Sequence, residues 1–229
     1  MSTREPEPPD IEEGFDPDEV LASPAEEHET DHAPPDEEEP DGGGAAKGTP
    51  MPIEASCLRD FTAVRSSGRR DLAKIRLIVI HSTESGSARG SARWFTDRRA
   101  AGSAHLVVDD IECFRTLDNA VIPWGASGAN TNGFHIEHAG WAFKWGRDEW
   151  MRHEQTLRRG AYKAALHAKK FRIPPRVLSA NDLRNGRPGF VTHATVNVFH
   201  PTKSSHRDPG SNFPLDFYMQ LVDGFMAEL

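Results

Sequence analysis

The stretch "IRLIVIHSTES", residues 75–85, decides the fold. Leu77 to Ile80 form an unbroken aliphatic run, bounded by polar residues on both sides. So short and apolar a run reads as a strand buried on both faces. It ends abruptly in His81, Ser82, Thr83 and Glu84. A rigid buried strand that delivers an imidazole at its C-terminal end calls for an explanation.

The segments around this strand alternate between the two regular structures. "SARGSARWFTDRRA" (87–100) carries Ala88, Ala92 and Phe95 at helical spacing, with Ser87 as N-cap. "AHLVVDD" (104–110) and "ECFRTL" (112–117) read as paired strands. "GFHIEHAG" (133–140) is a further strand, entered through the turn-like "GANTNG". Over 148–171, Trp150, Leu157, Ala161, Ala164, Ala168 and Phe171 form one apolar stripe, predicting a single helix. Asp148 is its expected cap, and Pro174–Pro175 prevents continuation. A last helix is expected over 214–227. Interleaved strands and helices predict an α/β fold over residues 55–229: a single domain with a central mixed β-sheet flanked by helices.

The charge is unevenly distributed. The 229-residue chain has a net charge of −8, yet residues 1–50 hold 17 acidic residues against Arg4 and Lys47, a formal −15. The remaining residues therefore carry 25 basic and 18 acidic side chains, or +7. The acidic, Pro-rich start has few apolar residues to offset its chain entropy, so residues 1–54 are expected to be a disordered tail and linker. No apolar run approaches the ~18 residues of a membrane span, and the N-terminus has no secretory h-region. Cys57 and Cys113 do not make a disulfide framework in a chain this size, and two free buried thiols are expected.

Eleven histidines stand out. His28 and His32 lie in the tail, and His153 and His167 fall on the polar side of the long helix, where a surface position is expected. His81, His105, His135, His138, His193, His200 and His206 remain, several of them at strand ends or in Gly/Pro-rich loops. A catalytic zinc site takes three protein ligands and an open position. No local pattern of the HExxH or CxxC kind supplies them, so spacing alone leaves the choice among these histidines open.

"IRLIVIHSTES", "SAHLVVDD", "NGFHIEHAG", "FVTHATV" and "HRDPGSNFP" occur in the order seen in zinc-dependent N-acetylmuramoyl-L-alanine amidases, the family of phage lysozyme-type amidases and peptidoglycan recognition proteins. The chain resembles that family over roughly residues 70–225. The resemblance implies one Zn2+ per chain, with His81, His193 and Asp208 as its ligands. Pro209 and Gly210 would fix the turn that aims the Asp208 carboxylate. Glu137, in "FHIE", matches the catalytic glutamate; it would take a proton from the attacking water and return it to the departing amine. Alternation along Phe134, Ile136 and His138 aims Glu137 to the opposite face.

The sequence departs from the family at three places. His206 stands where a lysine is common and is expected to steady the oxyanion, with Lys203 next in line. The segment between His193 and Asp208 is long, so His200 and His206 compete as ligands; the DPG turn favours Asp208. "PWGAS" (123–127) replaces the usual W-H-A-G. A groove-wall histidine is therefore missing, while Trp124 remains as a platform for sugar or peptide. For His105 two roles stay open, in or behind the groove or purely structural.

The implied function is hydrolysis of the amide between N-acetylmuramic acid and L-alanine in peptidoglycan, with neither nucleic acid nor membrane as partner. The +7 charge suits an anionic wall. A phage endolysin is expected, made in the host cytoplasm and released by a holin; an intracellular recycling enzyme is the alternative. The lysin is expected to be a monomer and to draw wall binding from a separate subunit. A non-catalytic recognition module or a stem-peptide peptidase on the same scaffold would share these motifs. Occupation of all three ligand positions favours an enzyme.

Overall fold

A computed structural model describes residues 51–201 and 206–229. The expected disorder of residues 1–50 and the candidate Lys203 lie outside the described residues. The interior strand β1 (Leu77–Ser82) has all six residues buried. It lies between β4 (Gly133–His138) and β5 (Gly189–Thr192), parallel to both. β2 (Leu106–Val108) runs parallel to β4, and β3 (Cys113–Arg115) closes one edge antiparallel to β2. The order β3-β2-β4-β1-β5 makes the sheet mixed, as expected.

Side-chain alternation divides the core. Ile78 and Ile80 of β1, with Phe134 and Ile136 of β4, pack beneath α3 (Glu154–Phe171) and α6 (Leu215–Glu228). Leu77 and Val79 point to the other face, into a cluster with Val191 of β5, Val196 of α5 (His193–Phe199) and Leu183 of α4 (Ala180–Arg184). Ala88 and Ala92 of α1 (Ala88–Trp94) cover Val107 and Phe114 on the second face. Burying each large aliphatic side chain of β1 contributes about 1.5–3 kcal/mol. That sum holds the strand rigid and offsets the desolvation of the imidazole at its end.

Several local expectations need correction. Ser87 caps α1 as expected, accepting from Gly90 N–H, but the helix ends at Trp94 rather than Ala100. The predicted long helix is two: α2 (Arg147–Arg152) and α3, broken at His153. Asp110 causes the break, because its carboxylate accepts from Thr156 N–H and hydroxyl and contacts His153 Nδ1 at 2.6 Å. Asp148 caps nothing; Gly146 holds the N-cap position of α2.

His167 is not on the surface. It is 8% exposed and stacks on Phe134 with ring centroids 3.9 Å apart. Cys57 and Cys113 are not free thiols but a disulfide. Leu58 N–H donates to Cys113 C=O, and Arg115 N–H donates to Leu58 C=O, so the incoming chain runs along β3 and brings the two Cys Cα atoms to 4.6 Å. Residues 51–54, expected within the linker, are tied down as well. Arg159 donates to the Met51 and Pro52 carbonyls, and Met51 N–H donates to Ile111 C=O. Among the described residues, no helix is long and apolar enough to cross a membrane.

Candidate metal centre and groove

The C-terminal ends of β1, β4 and β5 converge on one point. Parallel register sets His81 opposite Glu137, so both project from the second face, as alternation requires. Thr192 ends β5 and caps α5 by accepting from Thr195 N–H, which places His193 at the first turn of that helix. The chain then returns through the 208–210 turn, anchored where Ala194 N–H donates to Asp208 C=O. Gly210 adopts φ +85°, and a Cβ there would lie 2.2 Å from the Ala142 carbonyl oxygen. Only glycine fits this turn.

His81, His193 and Asp208 meet here, all buried, with one ligand atom from each within 4.8 Å of the others. The Asp208 carboxylate lies 3.0 Å from His81 Nδ1 and 2.9 Å from His193 Nδ1. Burial pushes the Asp208 carboxyl up, but His193 and His81 more than offset this and hold it well below the usual carboxylate range. Burial lowers the His81 pKa, although Asp208 opposes the shift. Two imidazoles and one carboxylate converging in a buried pocket form a donor set that fits a zinc ion with an open coordination position. His200 is exposed and outside this group, so it does not compete as a ligand. His206 is also outside it: its Nδ1 lies 3.9 Å from Asp208, and its ring stacks on His193 at 5.0 Å.

The cluster opens into a solvent-exposed groove. Glu137 and His206 line it beside the three clustered residues, and Trp124 stands on its wall. Glu137 lies 4.0 Å from His81 Nδ1. The Trp124 indole N–H donates to Ser67 Oγ, and the Arg65 guanidinium lies 5.4 Å from its ring, which fixes the platform's angle. A second hollow continues from His206 and Arg207 past the Asp208–Gly210 turn towards Phe213, lengthening the cleft. An elongated cleft suits a polymer better than an isolated small molecule.

His105 is fully buried and absent from the groove wall; it lies behind the site. Its Nδ1 accepts from His135 N–H at 3.0 Å. Burial and the neighbouring Arg70 guanidinium hold its pKa well below the ordinary value.

Two residues with a place in the site went unassigned in the sequence. Glu84, at φ +54°, accepts from Ser82 hydroxyl and Ala142 N–H, clasping two loops together over the groove. "HST" followed by an acid was the visible signal, but the left-handed backbone that aims Glu84 across the gap was not. The second is His135, fully buried, with Nδ1 3.0 Å from His81 Nε2. Its signal was position: it precedes Glu137 by two and so shares its face.

The family model for N-acetylmuramoyl-L-alanine amidase matches residues 71–211, which contain every residue of the cluster. No curated protein matches the sequence. Among solved structures, the hydrolase AmiA of Staphylococcus aureus, in complex with its ligand, superposes with a TM-score of 0.60 at 16% identity, covering 75% of this chain and 83% of AmiA. PlyL superposes at 0.52 with 14% identity, over 73% of this chain and 97% of its own. The PlyG catalytic domain superposes at 0.53 with 12% identity, over 75% and 96%. At these identities the structures share the fold. The family match extends over most of the chain, and the chain belongs to the N-acetylmuramoyl-L-alanine amidase family.

Proposed function

We propose that this protein is a zinc-dependent hydrolase of the amide between N-acetylmuramic acid and L-alanine in peptidoglycan. The observation that carries the reading is the convergence of His81, His193 and Asp208 beside Glu137 at the floor of a long groove. Zinc held by those three residues supplies Lewis acidity towards the scissile carbonyl and towards water. Glu137 takes the proton from the attacking water and returns it to the departing L-alanine amine. His206, stacked on His193 at the groove's edge, donates to the developing oxyanion. Trp124 offers its ring to the sugar or the first peptide residue. The rigid sheet beneath Glu137 and His81 provides the preorganisation this chemistry requires.

Mass spectrometry of digested peptidoglycan tests the reading. Stem peptides with a free N-terminal L-alanine, lost on chelation and restored by zinc, are the expected products. Cuts within the stem peptide would replace the amidase by a peptidase on the same scaffold. Tight binding without any product would make the protein a recognition module.

A further inference from the structure

Beneath the metal ligands a second pair of histidines occupies a slot cut to fit them. His135 lies one residue pair along β4 from Glu137 and is fully buried. Its Nε2 faces the Ala129 carbonyl oxygen at 3.4 Å, and its Nδ1 faces His81 Nε2 at 3.0 Å. A carbonyl can only accept, so Nε2 of His135 carries the proton. A neutral imidazole has one proton, which leaves Nδ1 bare. His81 Nε2–H must then donate to it, and the Nδ1 lone pair of His81 is left facing His193 and Asp208. The run Ala129 C=O, His135, His81 thus ends in an unprotonated nitrogen at the point where a cation would sit.

Without a cation the opposite assignment would let His81 Nδ1–H donate to Asp208 at 3.0 Å, but it is disfavoured at the Ala129 end and, once a cation is held, at the His81 end. It would set the His135 Nε2 lone pair against the Ala129 oxygen, and it would place a proton on the nitrogen that has to ligate. We propose that His135 is a positioning residue for the metal centre, holding His81 in its Nδ1-ligating tautomer. The proposal rests on the reading of His81, His193 and Asp208 as ligands.

Two glycines make room for the ring. A Cβ on Gly125 would lie 2.4 Å from His135 Nδ1, and one on Gly133 would lie 2.8 Å from Nε2. Gly125 stands in "PWGAS", where the resemblance implies a groove-wall histidine. The imidazole missing from the wall is thus matched by one entering from beneath, against the Cα that its absence leaves bare. His105 completes the support, because it accepts from His135 N–H while its own N–H donates to His135 C=O. Partners of this kind behind a ligand typically change metal affinity by roughly 10- to 100-fold.

The test is zinc affinity by chelator competition at fixed pH, read together with melting temperature. His135→Phe keeps ring volume but cannot accept a hydrogen bond, and roughly 10- to 100-fold weaker zinc binding is expected. His135→Gln, whose amide oxygen can accept from His81 Nε2–H, should recover part of that loss. Gly125→Ala should weaken zinc by displacing the ring. A purely structural role would lower melting temperatures and leave the dissociation constant of the folded protein unchanged. Wild-type affinity in folded His135→Phe therefore overturns the proposal. Histidine 15N spectra of the zinc-loaded wild type keep the test independent of the variants: His81 protonated on Nε2 is expected, and His81 protonated on Nδ1 refutes it. A wild-type protein that binds no zinc would remove the ligand reading itself and the proposal with it.

Discussion

Protonation of His167 should be a main route by which acid unfolds this domain. The ring is sandwiched by the core: it stacks on Phe134, donates from Nδ1 to the Lys163 carbonyl, and presents Nε2 to Arg115 at 3.1 Å. Burial pushes its pKa down to about 3, and the Arg115 charge adds to the effect. The unfolded chain returns it to about 6.5. Below that value the unfolded state binds the proton and the folded state refuses it, so stability falls as pH falls, until the folded pKa is reached. Linkage over pH 6.5 to 4.5 gives a loss of about 2 kcal/mol from this residue alone. His138, pushed down to about 4 by burial, loses a similar amount over the same range.

His167→Gln removes one of these contributions while keeping an amide that donates and accepts. Its stability at pH 7.5 should be lower than that of the wild type, since the stacked ring is lost. Between pH 6.5 and 4.5, however, it should lose about 2 kcal/mol less. Urea unfolding at half-unit pH steps measures both curves. All other side chains are common to the two proteins, so the difference between the slopes isolates His167. Parallel curves would refute the assignment of a buried, neutral imidazole at this position.

Three further outcomes are expected. Glu137→Gln should fold and bind zinc normally yet lose roughly 10²–10⁴ in kcat, measured by release of soluble muropeptide label; near-normal turnover would remove its role as base. Asp208→Ala should lose stoichiometric zinc by elemental analysis, whereas His206→Ala should keep zinc and lose turnover. The reverse pattern would exchange the two assignments. Replacing Cys57 and Cys113 together by serine opens a loop with a sequence separation of 56, which costs about 4 kcal/mol in the loop-closure account. An unchanged urea midpoint for that double variant would show that the bond contributes nothing.

The sequence made legible whatever was written locally. The aliphatic run before His81 and the D-P-G turn after His206 each state a conformation within a few residues. Resemblance then joined His81, His193, Asp208 and Glu137 across more than a hundred residues. What stayed hidden depends on contacts between segments far apart in sequence. The Cys57–Cys113 bond follows from the incoming chain pairing with β3, and no spacing rule announces that pairing. The break at His153 follows from Asp110, which arrives from the β2–β3 turn to cap a helix begun 44 residues later. His167 looked polar-facing because the stripe through Leu157 and Ala164 defined only one buried side. Phe134 and Arg115 cover a second side, so the helix is buried more broadly than its apolar stripe.

The same reasoning separates the roles of the site's histidines better than their spacing does. His135 and His138 flank the pair Ile136–Glu137 on one strand, and at three residues apart alternation sends them to opposite faces with different work. Below the sheet, His138 donates from Nδ1 to the His81 carbonyl and faces the Tyr218 hydroxyl with Nε2, fixing the backbone of β1 at its end. Above it, His135 meets the His81 side chain. The backbone and the ring of His81 are thus held by two histidines of the neighbouring strand, one from each face. A strand that must present an imidazole at a fixed angle has its backbone position and its ring orientation to control. In β4, a single alternating His-Ile-Glu-His tetrapeptide supplies a hold on each and places Glu137 beside them.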